Sequence, residues 1–227
     1  MKKLVKTIVL LVSVILVYSC NNDDDSNNME NTPFFNLHTG NYWIYKEYYY
    51  SQNQLAFTGN VDSVAVVGTS FVNGLEFHKQ ITYRKNASTS YYEKDSCYLR
   101  INSQGHLVKL KSINQQNIEP ITETSGFVLH PGLDFNYVQD HNFIMQEVIF
   151  GTIEYKLYNP IEISVENSNY FAYPFKGNFV PLDSFPDLES KKIEYYYTEN
   201  IGLVKEICPF VTSNSFLENR LIAYSVN

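Results

Sequence analysis

The sequence predicts an all-β protein: a single antiparallel, strongly curved sheet, or an open or closed β-barrel, of about ten strands. Three observations carry that reading. Aromatic residues make up 15 % of the chain, 19 of them Tyr and 15 Phe, and together with Ile, Val and Thr they favour a pleated, half-buried surface. From Tyr42 onward apolar and polar residues alternate with period two in segment after segment. After the first nineteen residues, no window of three or more turns carries a helical apolar stripe.

The first strand lies in the densest aromatic stretch, where Phe34 and Phe35 precede Tyr42, Trp43, Tyr45, Tyr48, Tyr49 and Tyr50. Alternation sends Tyr42, Ile44 and Tyr48 inward if Trp43, Tyr45 and Tyr49 face out, so core packing is the first reading of the cluster. Rings that stack on sugars or line a lipid cavity are the other. Val61 to Val67 and Leu75 to Arg84 flank Asn73-Gly74, whose tolerance of positive φ suits a type I′ hairpin turn. Within the second run, Leu75, Phe77, Ile81 and Tyr83 share one face, and Glu76, His78, Gln80, Thr82 and Arg84 the other. Ser103-Gln104-Gly105 separates strands at Cys97 to Ile101 and Leu107 to Leu110.

Farther on, Ile153, Tyr155 and Leu157 alternate with Thr152, Glu154 and Lys156, and Ile161, Ile163 and Val165 with Glu162, Ser164 and Glu166, around an Asn159-Pro160 turn. Ile193 to Thr198 and Leu203 to Cys208 form a hairpin about Glu199-Asn200-Ile201-Gly202, and Leu221 to Val226 is the last strand. The best helical candidate is Asp140 to Ile149. Asn114 to Gly132 and Tyr173 to Ser190, each carrying prolines, read as long loops. The second is rich in Phe, so it is expected to pack on the sheet or cover an opening, where it would gate a cavity.

The N-terminus carries an address. Lys2, Lys3 and Lys6 precede an apolar run from Ile8 to Val17, broken only by Ser13, which is the layout of a secretory signal. The run is well short of the roughly 20 residues needed to span a bilayer. Val17-Tyr18-Ser19-Cys20 resembles the bacterial lipobox, with Tyr18 in place of the usual small or aliphatic residue. That resemblance implies that residues 1–19 are removed and that Cys20 is lipidated, so the membrane is met through an N-terminal lipid and not a protein span. Residues 20–33 read as a disordered acidic tether, since Asn21 to Asn28 contains no apolar residue. The acidic run also resembles the export signals of Bacteroidota surface lipoproteins; a plain solvated spacer is the alternative. The expected placement is the cell envelope, lipid-anchored to the outer membrane, with surface exposure open.

Residues 34–227 then form a single β domain. The leader holds three of the 17 basic residues and none of the 24 acidic ones, so the mature chain carries a net −10 with histidine neutral. Nucleic acid and anionic lipid are poor partners for it. Cys97 and Cys208 remain after lipidation, and in an oxidising compartment they form either a disulfide or two buried thiols.

No motif nominates a catalytic residue: there is no Gly-x-Ser-x-Gly elbow, phosphate loop or His-Glu-x-x-His. His130 and His141, with Asp134 and Asp140, lack metal-ligand spacing and read as polar loop residues, so neither metal nor cofactor is expected. Asp62-Ser63-Val64 resembles the Bacteroidota O-glycosylation site. The lipobox, the acidic tether, Asn41-Tyr42-Trp43-Ile44-Tyr45 and Tyr196 to Glu206 together look like a broad group of Bacteroidota lipoproteins of uncharacterised activity. A looser similarity is to the open-barrel carriers of the LolA and LolB type, without their helical lid. The functional expectations are a binding module for an apolar or glycan ligand, then an assembly lipoprotein contacting envelope proteins, and third a hydrolase without a recognisable motif.

Overall fold

The structure, a computed structural model, describes residues 34–86, 90–113 and 120–227. The leader, Cys20 and the tether lie outside these residues, as does the start of the first long loop, 114–119. The described chain is all β. Its strands are β1 (Tyr42–Ser51), β2 (Gln54–Val72), β3 (Leu75–Lys85), β4 (Tyr92–Ile101), β5 (Leu107–Leu110), β6 (Phe127–His130), β7 (Val138–Met145), β8 (Val148–Leu157), β9 (Ile161–Val165), β10 (Ser168–Pro181), β11 (Lys191–Thr198), β12 (Gly202–Pro209) and β13 (Phe216–Ser225).

All thirteen belong to one antiparallel sheet, ordered β6-β5-β4-β3-β2-β1-β13-β12-β11-β10-β8-β7, with β9 paired to the first part of β10. β1 bonds to β2 on one side and β13 on the other, which puts both ends of the domain in mid-sheet. Register shifts near Ile44, Lys46, Val66 and Thr82 bend these central strands. The sheet is open, with β6 and β7 as its edges, yet the two ends meet through side chains. Phe127 of β6 lies 4.6 Å from the ring of His141 in β7 and 5.9 Å from that of Tyr155 in β8. Edge backbone groups are thus brought together by aromatic packing where hydrogen bonds would close a barrel.

Three apolar clusters fill the interior, centred on Trp43, Tyr45 and Leu221, on Phe35, Leu99 and Leu107, and on Tyr155, Phe175 and Phe179. Outside them a belt of charge crosses three strands, β12, β13 and β1, and reaches the β9–β10 turn. Glu218 takes hydrogen-bonded contacts from Lys205 at 3.1 Å and Arg220 at 2.7 Å, and the Arg220 guanidinium stacks 4.5 Å over Tyr48. Tyr48 donates to Glu166 at 2.6 Å, which fastens the β9–β10 turn onto β1.

Three expectations are corrected. Asp140 to Ile149 is no helix; it is the tip of the β7–β8 hairpin, turning at Gln146 (φ 49°) and Glu147 (φ 67°). Both residues sit in the left-handed region that a type I′ turn requires, without the Asn-Gly signal that would announce it. The Asn73-Gly74 turn, by contrast, has φ 52° and 80° as its composition implies. Likewise the long loop at Tyr173 is strand as far as Pro181, and Phe127–His130 of the first loop is β6. Gly177, a loop residue by composition, stands opposite Tyr155 in the β8–β10 register. A Cβ there would come 2.5 Å from Tyr155 Cε1, so the glycine exists to let that ring lie on the strand.

Gly177→Ala is therefore expected to destabilise the domain by about 1–3 kcal/mol, read as a lower urea midpoint at unchanged slope. Replacing Gln146-Glu147 by Asn-Gly should raise stability by about 1 kcal/mol, since it relieves left-handed strain in the turn. An unchanged midpoint for both variants would contradict the close approach of Tyr155 to Gly177 and the positive φ angles of the β7–β8 turn.

Candidate functional site

The concave side of the sheet holds a half-open cavity of about 330 Å³. Strands from both halves of the sheet build its wall: Trp43 and Tyr45 from β1, Leu99 from β4, Leu107 from β5, and Tyr195 and Tyr197 from β11. Phe35, Asn36 and Leu37, the segment before β1, complete it. The Tyr173–Ser190 segment contributes no lining residue, which overturns its expected role as a gate. Its later part packs elsewhere, with Phe185 stacked 4.6 Å from Phe150.

The polar atoms of two lining rings are already committed. Trp43 Nε1 donates to the Ile201 carbonyl and Tyr45 OH to the Leu203 carbonyl at 2.8 Å. These bonds tie β1 across β13 to β12 and leave carbon faces toward the void. Burial, reinforced by Glu206, pushes the Tyr45 and Tyr197 hydroxyls far above their ordinary range, so both stay neutral donors. Besides the tyrosine hydroxyls, the polar liners are Asn36, Gln80, Lys109 and Glu206. Glu206 accepts from Asn219 at 2.9 Å and from the Cys208 thiol at 3.3 Å. Gln80 belongs to the polar face of β3; alternation divides that strand into faces correctly, but this interior accepts part of the polar one.

A charge network adjoins the cavity on the same sheet face. Tyr45, Asp62 and Arg84 are direct register partners across β1, β2 and β3, so their side chains point the same way. Arg84 grips Asp62 through Nε at 2.6 Å and Nη2 at 2.8 Å, reaches Glu47 at 2.6 Å, and Lys94 adds a 2.8 Å contact to Asp62. Burial alone would raise both carboxyl pKa values. Hydrogen bonds from Asn60 and Arg84 to Glu47, and from Arg84 and Lys94 to Asp62, outweigh it and hold both below the usual carboxylate range. Asp62-Ser63-Val64, similar to a glycosylation site, is thus mid-sheet, with Asp62 bonded to two cations and Ser63 between Ile44 and Tyr83.

Aromatic rings do cluster as the composition suggests, but with Trp43 and Tyr45 buried and Tyr42 and Tyr49 each 40 % exposed. Cys97 and Cys208 are free thiols on strands that are not neighbours, and burial raises the pKa of each. The disulfide is therefore not formed in this structure. His130 and His141 are not brought together around an ion either. His130 Nδ1 accepts from the Gly132 amide at 3.1 Å and Nε2 faces the Tyr173 carbonyl at 3.3 Å, which assigns the proton to Nε2. His141 packs at a tilt against Phe127, and Asp134 pairs with His106, a histidine that spacing does not single out, at 3.3 Å. Among the described residues, no group of three His, Cys, Asp or Glu is placed to hold a metal.

No protein-family model matches the chain, and no curated protein matches it. Two solved structures are similar to it. One is a Bacteroides fragilis protein described as exported and YmcC-like in fold, at 11 % identity over 86 % of this chain and 99 % of that one, with a TM-score of 0.47. The other is a Parabacteroides distasonis protein described as a lipoprotein, at 13 % identity, with the same coverage of 86 % and 99 % and a TM-score of 0.43.

Two outcomes follow from the buried charges. Arg84→Met is expected to cost about 3 kcal/mol at neutral pH, because in a nearly dry site it leaves Glu47 without a cation and Asp62 with Lys94 alone. Their depressed pKa values stabilise the fold above the ordinary carboxylate range, and that stability is lost as pH falls below it; denaturation followed against pH should show Arg84→Met losing most of this slope. Burial also holds the His130 pKa down to about 3, from an ordinary 6.5. Its imidazole should therefore remain neutral at pH 5 by NMR, and protonation near 6.5 would contradict the placement. Neutral His130 supports the fold fully above 6.5, and that support declines as pH drops toward 3.

Proposed function

We propose that this chain is a lipid-anchored envelope protein, acylated on Cys20, that holds one apolar or amphipathic ligand inside its curved sheet. The cavity carries the reading. Its volume of about 330 Å³ lies at the small end of the roughly 300–1,000 Å³ usual for ligand sites, enough for one small molecule or one arm of a larger one. Because Trp43 and Tyr45 spend their polar atoms on backbone carbonyls, the wall offers mainly carbon surface. That favours an apolar body over a glycan, whose hydroxyls need free partners. Asn36, Gln80, Lys109 and Glu206 supply the few polar contacts that would orient one end of such a ligand.

Attachment rests on the lipobox, and the outer membrane is the expected site of the anchor. A second reading, an assembly lipoprotein, is favoured by the β7–β8 tip. There Ile144, Met145, Val148 and Ile149 are all more than 40 % exposed, beside a sheet edge open to another strand.

Mass spectrometry of protein purified from its native membrane should find a co-purifying lipid or other apolar molecule. Leu129, near the end of β6, also lines the cavity, and Leu129→Trp should weaken binding of a fluorescent fatty acid by roughly tenfold, about 1.4 kcal/mol, with the melting temperature little changed. A native protein that is empty and a probe that ignores the variant would reject the carrier reading in favour of the assembly one.

A further inference from the structure

The described chain begins at Phe34, and Phe34 lies within a patch of aromatic side chains. Its ring is 5.1 Å from Tyr173, which in turn is 6.1 Å from Phe171 and 6.5 Å from Phe135. Phe171 and Leu133 are each 55 % exposed and Phe135 is 44 % exposed. These are large apolar groups turned to solvent from a rigid base. The Asn200 amide donates to the Phe34 carbonyl at 3.0 Å, the His130 ring stacks on Phe34 at 5.1 Å, and Tyr173 OH donates to Glu199 at 2.6 Å.

We infer that this patch is a membrane-docking surface, on which Leu133, Phe135 and Phe171 rest in the headgroup region of a zwitterionic bilayer. Docking of this kind depends on the acylation of Cys20 proposed above. Fourteen residues, Cys20 to Pro33, join the lipid to the patch. The tether reading of residues 20–33 implies a coil with an end-to-end distance of roughly 20 Å, which makes this the face of the domain held nearest the membrane. Tethering turns docking into an intramolecular step, in which a weak apolar contact suffices. Aromatic side chains are the residues that settle at such an interface. The charges beside the patch are all acidic: Asp134 and Glu199, engaged by His106 and Tyr173, and Glu162, the cross-strand partner of Phe171. With a net −10 behind them, the contact is an apolar one with neutral headgroups, insensitive to salt.

The test uses the full acylated chain in phosphatidylcholine vesicles with brominated acyl chains, which quench nearby tryptophan. Phe171→Trp places a probe in the patch. Val148→Trp places one at the far end of β8, which begins at Val148 and ends at Leu157, roughly 30 Å away. Trp43 lines the proposed ligand cavity, so the wild-type chain in the same brominated vesicles supplies the background that is subtracted. The expected result is flotation of both variants with the vesicles, loss of most added emission for Phe171→Trp, and none for Val148→Trp. In the Phe171→Trp chain, Leu133→Glu with Phe135→Glu should restore the emission while flotation persists.

Flotation with no quenching at residue 171, or equal quenching at both positions, overturns the docking surface and leaves the lipid anchor standing. Crosslinking of residue 171 to an envelope protein or a second copy in native membranes overturns it as well. A chain that neither floats nor carries acyl mass on Cys20 overturns the anchor and the docking surface together.

Discussion

Pairing of β1 with β13 is the constraint on which the rest of the structure depends. From Tyr42↔Ser225 to Tyr50↔Phe216 it joins two antiparallel meanders, β1 to β6 and β7 to β13, that would otherwise be separate sheets with two further open edges. The seam is reinforced on both faces. Tyr50 stacks on Phe216 at 4.5 Å and Arg220 lies over Tyr48, while Tyr45 and Trp43 reach across β13 to carbonyls at the start of β12. This contact has the longest reach along the chain, so its loop-closure entropy is large and must be met by strong local packing. The crowding of aromatic residues in β1 supplies that packing.

The cavity is a consequence of the same seam. Its wall takes β1, β4 and β5 from one meander and β11 and β12 from the other, and neither alone is concave enough to enclose it. Curvature comes from the register shifts in the central strands, and the outer edges then meet through Phe127, His141 and Tyr155. An interior sealed on one side by rings, without a ladder of hydrogen bonds, can keep an unfilled volume, because a curved sheet of this many strands is too wide for its own side chains to fill the centre.

Polar groups inside the curve matter as much as the void. Glu47, Asp62, Arg84 and Lys94 form a self-compensating set of two anions and two cations beside Tyr45. Such a set contributes little net stability over apolar residues, but it punishes any rearrangement that would separate its members. It therefore pins the register of β1, β2, β3 and β4 next to the cavity. On the opposite end of the domain, His130 performs a similar service with a neutral ring, linking the end of β6 to β10 through the Tyr173 carbonyl.

Much of this was legible from residues alone. Alternation in β8, β9, β11 and β12, and the turn at Asn73-Gly74, determined an antiparallel all-β domain, because side-chain period and turn chemistry are local properties. The lipobox and acidic run likewise determine the reading of residues 1–33 without reference to the fold. What needed the tertiary structure was everything decided by distant neighbours. Gln146-Glu147 turns like Asn-Gly only because β7 and β8 pair around it, and Gly177 is a strand residue only because Tyr155 lies over it. Which face of β3 turns inward, whether Cys97 meets Cys208, and that β6 approaches β8 depend on how far the sheet curls. Curvature is a sum of small twists and register shifts over thirteen strands, and no single stretch of sequence records that sum.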